Sequence, residues 1–250
     1  MAGMFKILTP SWHLPGVHAC TFLAKDTDGN AVSFDLESTI GNKCRNRLMD
    51  LIQPDERIVW LNQIHGNDLV ELPLDELVFE NGQLEGGEIR PLADASYTFQ
   101  SGVVCTVLTA DCLPVILALE DGSGVAAIHA GRKGLENGII MKTVQRMEFP
   151  AALYAWIGPG ISKSSYPVSE AIKAAFLKNN PDMQHVFKMT SAGDCCMDLY
   201  EIARLQLIQA GVDSNRISMA IKNTFTDPDL HSARREGALS GRMATLVWMD

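Results

Sequence analysis

The chain has 250 residues and a mass of 27.3 kDa, with 46% hydrophobic and 20% charged residues, which suits one sizeable globular domain over residues 1–250 and leaves no call for disorder. A formal net charge of -9 and an isoelectric point near 5.1 repel a phosphate polymer over most of the surface, so nucleic acid is excluded as an expected partner. Any anion chemistry must come from a local cluster of cations.

The first residues, Met1 to Lys6, carry no charged start followed by an apolar core, and no later run of about 18 apolar residues exists. The chain therefore reads as cytoplasmic, without a membrane partner. In chain order, Val17 to Leu23 and Ala31 to Phe34 read as strands of a hairpin joined by the turn residues Asp26 to Asn30. A short helix is expected over Cys44 to Ile52. The acidic, glycine-bearing stretch between Pro73 and Pro91 reads as a surface excursion, because core-type strands resume directly after it.

From Val103 the runs VVCTVLTA, LPVILALE and GVAAIHA predict three central strands. Leu135, Ile139, Ile140, Val144 and Met147 then recur at helical spacing, as do Val168, Ile172, Ala175 and Phe176. Asp198 with Glu201 has the form of a capping box opening a helix over Leu199 to Ala210. The segments ISMAI and MATLVWM read as closing strands.

Three soft-metal donors stand where apolar runs end or turn: His65 in NQIHG, Cys112 in TADCLPV and His129 in AAIHAG. Two imidazoles and a thiolate on one rim would leave a fourth zinc position open, the arrangement of a catalytic site. Ordinary accounts stand beside this: a small buried cysteine, a satisfied sheet-end histidine and a turn histidine. Cys112 also reads as a nucleophile with His129 as its base. Asp111 either orients a histidine or carries a proton, or else caps free backbone amides.

Cations near these points are Arg132 and Lys133, with Arg234, Arg235 and Arg242 towards the C-terminus; Arg132 reads equally as part of an exposed charged turn. The glycine turn in IGPGIS could bring amides to a ligand. The six cysteines lack CxxC spacing and read as reduced thiols, with Cys195 and Cys196 structural. His13, His18 and His185 have no partner pattern, and Trp60, Trp156 and Trp248 read as packing residues.

Taken together, WLNQIHG, ADASYT, GVVCTVLTADCLPV, HAG, AWIGPGI, DLYEIARLQL and SGRMATLVWM resemble the laccase-domain family of bacterial proteins from about residue 55 to the end. That family is also called polyphenol oxidase-like, purine nucleoside phosphorylase and peptidoglycan editing factor. The resemblance implies an α+β class and a single-domain layered α/β/β/α sandwich with mixed sheets, related to the cytotoxic necrotizing factor-like cysteine hydrolases. It implies zinc held by His65, Cys112 and His129. It also implies phosphorolysis of adenosine, inosine, guanosine and methylthioadenosine, with a further adenosine deaminase activity.

The matches are accompanied by departures. Relatives read HAGWRG where this chain reads HAGRKG, so Arg132 replaces an indole and Lys133 an arginine; lysine keeps the charge but loses the bidentate fork. The SLNLG stretch appears as SFDLE, FSYRR appears as HSARR with Ser232, Arg234 and Arg235 retained, and Tyr166-Pro167-Val168 stands where relatives carry Phe-Glu-Val.

The leading expectation is a monomeric zinc enzyme acting on a purine nucleoside and phosphate. Cys112, His129, His65 and Asp111 serve catalysis, and Lys133, Arg132, Arg235 and Ser232 serve substrate binding. Three alternatives remain: a cysteine-dependent hydrolase editing peptidoglycan precursors, a copper polyphenol oxidase, for which the chain lacks clustered HxH motifs, and a non-catalytic ligand-binding relative.

Overall fold

The computed structural model describes residues 3–51, 57–73, 90–147, 151–190, 193 and 195–250. In chain order, β1 (Phe5–Leu8), β2 (Val17–Asp26), α1 (Thr39–Met49), β3 (Arg57–Val59), β4 (Leu69–Leu72), β5 (Ala95–Thr98), β6 (Val103–Thr109), β7 (Leu113–Leu119) and β8 (Val125–Ala130) form the first half. Then come α2 (Arg132–Glu136), α3 (Ile139–Arg146), β9 (Leu153–Ile157), β10 (Pro167–Val168), α4 (Glu170–Asn179), β11 (Phe187–Met189) and β12 (Cys195–Met197). The chain closes with α5 (Leu199–Gln209), β13 (Ile217–Met219), α6 (Ala233–Glu236) and β14 (Met243–Met249).

Two mixed sheets dominate, one ordered β1-β2-β14-β6-β3 and one ordered β13-β9-β7-β8-β5-β4, with a small sheet β10-β12-β11 beside them. The pairs β3–β6, β4–β5 and β13–β9 are parallel and the other ladders antiparallel. Strand residues alternate between faces, and β7 shows what that means here. Its Ile116 and Ala118 meet Cys105, Val107, Val247 and Met249 of the other sheet, while Val115, Leu117 and Leu119 join Ile139, Ile140, Ile202 and Leu207 of α3 and α5. A strand covered on both faces reads as an unbroken apolar run, which is why LPVILAL shows no alternation.

On the far side of the five-stranded sheet, Phe22, Val104 and Leu246 pack against Cys44 and Leu48 of α1. The layers thus run helix, sheet, sheet, helix. Each large aliphatic side chain buried in them contributes roughly 1.5–3 kcal/mol relative to exposure.

The central strands, the last strand and α5 fall where the sequence placed them. Asp198 caps α5 by accepting from the Glu201 amide at 3.1 Å. Elsewhere the elements differ for identifiable reasons. The turn after β2 forms, with the Asp26 carboxylate accepting from the Asp28 and Asn30 amides at 3.0 and 2.9 Å. The expected strand at Ala31–Phe34 does not persist, because the chain leaves β2 after the Lys25–Ala31 bridge and Phe34 donates instead to the Arg242 carbonyl.

Helix α1 starts five residues before the expected Cys44, where the Ser38 hydroxyl accepts from the Gly41 amide; Ile52 lies outside the described residues, as do residues 74–89 of the expected surface excursion. The helix expected after Gly134 is two helices, since the chain breaks at Gly138, whose φ of 72° suits glycine. Val168 lies in β10, outside the helix that Ser169 caps. All six cysteines are free thiols, with Cys195 and Cys196 buried in β12. Among the described residues no helix is long and apolar enough to cross a membrane.

Candidate metal centre

Two connections cross from the five-stranded to the six-stranded sheet at one rim. The first runs from β3 to β4 and carries His65; the second is the short turn from β6 to β7 and carries Asp111 and Cys112. His129 lies on β8 opposite Pro114, so the antiparallel β7–β8 pairing sets it beside Cys112. Sheet packing therefore brings the three donors together: their ligand atoms all lie within 4.8 Å of one another, and the two imidazoles meet edge to face at 4.8 Å. Nitrogen and sulphur ligands of a tetrahedral zinc ion lie about 3.3–3.6 Å apart, so the widest pair must close by about 1.2–1.5 Å to hold one, a shift within reach of side-chain rotation.

The backbone around the cluster is committed to this geometry. His65 has a φ of 59° and Asp111 a φ of 95°, left-handed conformations that cost a side-chain-bearing residue energy. A methyl group added at Gly131 would stand 2.9 Å from the Cys112 sulphur, so the glycine of HAG lets β8 turn away beside the thiol. Gln63 docks the His65 loop on β6, accepting from the Leu108 amide at 2.7 Å and donating to its carbonyl at 2.8 Å.

A fully buried carboxylate completes the cluster. Asp94, just before β5, accepts from His129 Nδ1 at 2.8 Å, which leaves Nε2 as the ring nitrogen turned to Cys112. It also accepts from the amides of Ile64, His65 and Gly66 at 3.3, 2.9 and 2.6 Å. Burial pushes its carboxyl up, but these donors and the His129 charge hold it below the usual range.

Burial would likewise raise the Cys112 thiol, yet the His129 charge and hydrogen bonds from both imidazoles bring it down to about 6. Burial opposes charge on His129, but the Cys112 thiolate and Asp94 raise it to about 9. These are two faces of one interaction, and its direction is a thiolate beside an imidazolium when no metal is bound. The remaining thiols differ: burial pushes Cys20 and Cys105 up to about 12.

The other sequence candidates are placed unequally. The Asp111 carboxylate turns to the Thr224 hydroxyl and the Arg234 amide, each at 2.6 Å, so it latches the C-terminal segment and orients neither histidine. Arg235 spends its guanidinium on the carbonyls of Thr224, Phe225, Asp227 and Leu230 and on Glu236. Ser232 is fully buried and caps α6 through the Arg235 amide. These three are therefore engaged in holding residues 224–236 rather than turned to a ligand.

Lys133 is exposed on α2, and Arg132 pairs with Glu136 at 3.0 Å. Arg132 also hydrogen-bonds the Tyr166 phenol, and Arg234 lies over that ring at 5.1 Å. Burial and the Cys112 charge raise that phenol while the two guanidinium groups lower it, so Tyr166 and both cations lie within electrostatic reach of one another and of the thiol. The IGPGIS turn spends its amides on the protein, Gly158 on the Pro114 carbonyl at 2.9 Å and Gly160 on the Tyr200 hydroxyl at 2.8 Å. Trp60 and Trp156 are core residues, and Trp248 stacks on His18.

His65, Cys112 and His129 open into a cleft of about 280 Å³ whose wall includes Asp35, Glu37, Asn62, Gln63 and Arg242. A larger cavity of about 640 Å³, lined by Lys163, Lys188, Asp198 and Met219 among others, contains none of the three donors, so size does not locate the chemistry. Sequence reasoning missed Asp94 and Tyr166. Asp94 had one signal, an acidic residue immediately before an apolar strand in ADASYT, but no spacing rule ties it to His65 and His129, 29 and 35 positions away.

A family model described as multi-copper polyphenol oxidoreductase laccase matches residues 30–250, so the match includes much of the divergent N-terminal part. The chain is 33% identical to a Purine nucleoside phosphorylase of Xylella fastidiosa (strain Temecula1 / ATCC 700964), covering 96% of this chain and 98% of that one. It is 31% identical to Purine nucleoside phosphorylase YfiH of Escherichia coli (strain K12), covering 98% and 100%. Among solved structures, Neisseria meningitidis protein NMB0706 superposes with a TM-score of 0.81 at 30% identity, covering 98% of this chain and 99% of that one. YlmD from Geobacillus stearothermophilus gives 0.80 at 26% identity, covering 94% and 93%.

Proposed function

The chain belongs to the family described as multi-copper polyphenol oxidoreductase laccase, and from that premise we propose that it is a zinc-dependent enzyme that cleaves purine nucleosides with phosphate. The observation that carries the reading is the convergence of His65, Cys112 and His129 on one wall of a cleft. The relatives named as purine nucleoside phosphorylases supply the substrate class. Two nitrogens and a thiolate suit zinc, which would supply an open coordination position and Lewis acidity at the cleft. The same family resemblance that suggests phosphorolysis also suggests adenosine deamination.

In phosphorolysis a phosphate oxygen bonds to the ribose anomeric carbon as its bond to the purine nitrogen breaks. The electron pair leaves on the purine, which takes up a proton. The chain's part is to hold an anion and a neutral nucleoside together and exclude competing water. Arg132 and Arg234, gathered on Tyr166, whose phenol feels the Cys112 charge, are the cations assigned to the anion. Asn62 and Arg242, in the wall of the cleft, offer polar groups to the nucleoside. Lys133 and Arg235 are replaced in this role, Lys133 by its exposure and Arg235 by its carbonyl partners.

The test is metal analysis of purified protein alongside product assays on adenosine, inosine, guanosine and methylthioadenosine, with and without phosphate. Roughly stoichiometric zinc is expected, with free base and ribose 1-phosphate as products that disappear in Cys112→Ala. Metal-free active protein, or product release surviving Cys112→Ala, overturns the proposal.

One observation favours a second reading: the Cys112 thiolate beside a charged His129 is also the pair of a cysteine nucleophile and its base, as in the hydrolases whose fold the family resemblance invokes. A covalent adduct on Cys112 in active, metal-free protein would decide for it. Multi-copper chemistry draws less support, since among the described residues one cluster alone has three such donors within reach of an ion.

A further inference from the structure

Asp94 is bonded to both histidines by two different routes, through the ring of His129 and through the backbone of His65. Its carboxylate takes the Nδ1 proton of His129 with one oxygen, and the amides of residues 64–66 with both. It is fully buried, and its own carbonyl accepts from the His129 amide at 2.7 Å, so it is fixed to β8 at two points. The amides converging on it hold His65 in its left-handed conformation from one side, while the Gln63 bonds to Leu108 dock the same loop on β6 from the other.

We propose that Asp94 is a positioning residue that pre-forms the metal site, setting the ring of one imidazole ligand and the backbone of the other before any ion arrives. The inference rests on the metal-binding part of the functional reading and is independent of the substrate. Two consequences follow. A carboxylate behind a ligating histidine fixes its tautomer and strengthens its basicity, and loss of such a partner typically costs about 10–100-fold in metal affinity. Because one carboxylate serves both ligands, its removal should also release the His65 turn, which a carboxylate serving His129 alone would not do.

The experiment compares full-length wild type with Asp94→Asn and Asp94→Glu, none given any nucleoside. Zinc affinity is measured by competition with a chelator, and site geometry by the visible spectrum of the cobalt-substituted protein. Asp94→Asn keeps the volume but turns an amide N–H towards existing donors. It is expected to bind zinc about 10–100-fold more weakly and to show an altered cobalt–thiolate spectrum. Asp94→Glu, which keeps the charge, is expected to recover part of the affinity.

Hydrogen exchange on metal-free wild type keeps the idea falsifiable even if the variants do not fold. The His65 and Gly66 amides are expected to be protected before zinc is added. Rapid exchange of those amides in the metal-free protein, or unchanged zinc affinity and cobalt spectrum in folded Asp94→Asn, overturns the proposal. Neither outcome bears on which substrate is cleaved, and a failed nucleoside assay leaves these measurements untouched.

Discussion

Cys112 is the residue whose chemistry depends most on its neighbours. Its thiol falls from an ordinary 9.0 to about 6, while His129 rises from 6.5 to about 9, so the metal-free pair is charged between about pH 6 and pH 9. The signs follow from linkage for the pair as a unit: its stabilisation is present between the two values, lost as pH falls through about 6 and the thiolate takes a proton, and lost as pH rises through about 9 and the imidazolium gives one up. Alkylation of metal-free protein by iodoacetamide, followed by mass spectrometry, should therefore show Cys112 gaining reactivity with a midpoint near pH 6. Cys20 and Cys105, buried and pushed up to about 12, should stay inert in the fold, and saturating zinc should protect Cys112. A midpoint near the ordinary thiol value would contradict the pairing.

At the scale of elements, the site depends on two tight joints. Where β8 ends, Gly131 sits so close to Cys112 that Gly131→Ala would force a methyl group to 2.9 Å from its sulphur. That variant should fold, because the joint is at the rim, yet retain less zinc after dialysis against a weak chelator. Where β6 turns into β7, Asp111 holds the segment before β14 through Thr224 and Arg234. Asp111→Ala leaves the buried Thr224 hydroxyl and the part-buried Arg234 amide without their charged acceptor, which costs about 1.5–3 kcal/mol for the buried bond and less for the other. Urea denaturation should show that loss, and hydrogen exchange should quicken over residues 224–236. If only the site were affected, with stability and exchange unchanged, the latch role would be wrong.

Over the whole molecule, stability and site formation both come from the seam between the two sheets. Ile116 is fully buried there, facing the five-stranded sheet, so Ile116→Ala should cost about 2–5 kcal/mol in urea denaturation. Zinc bound per folded molecule should be unchanged, since Ile116 lies along the seam and away from the rim. A large loss of zinc from well-folded Ile116→Ala would mean that the seam and the rim are coupled more tightly than their contacts imply.

Local patterns by themselves determined the buried strands β6, β7, β8 and β14 and the cap of α5, because an apolar run or a side-chain cap is written within a few residues. They also offered His65, Cys112 and His129 as donors, through chemistry and family resemblance. Tertiary structure decided the rest. The two sheet crossovers brought residues 65, 112 and 129 to one rim, and strand pairing set Asp94 opposite His129. The same packing turned Asp111, Ser232 and Arg235 into fasteners of the C-terminal segment, since their partners lie in a loop that only the folded chain brings near. A charged side chain in a sequence does not say which carbonyls or amides will claim it. That choice is made by long-range packing, where burying a charge without a partner costs more than any local preference can offset.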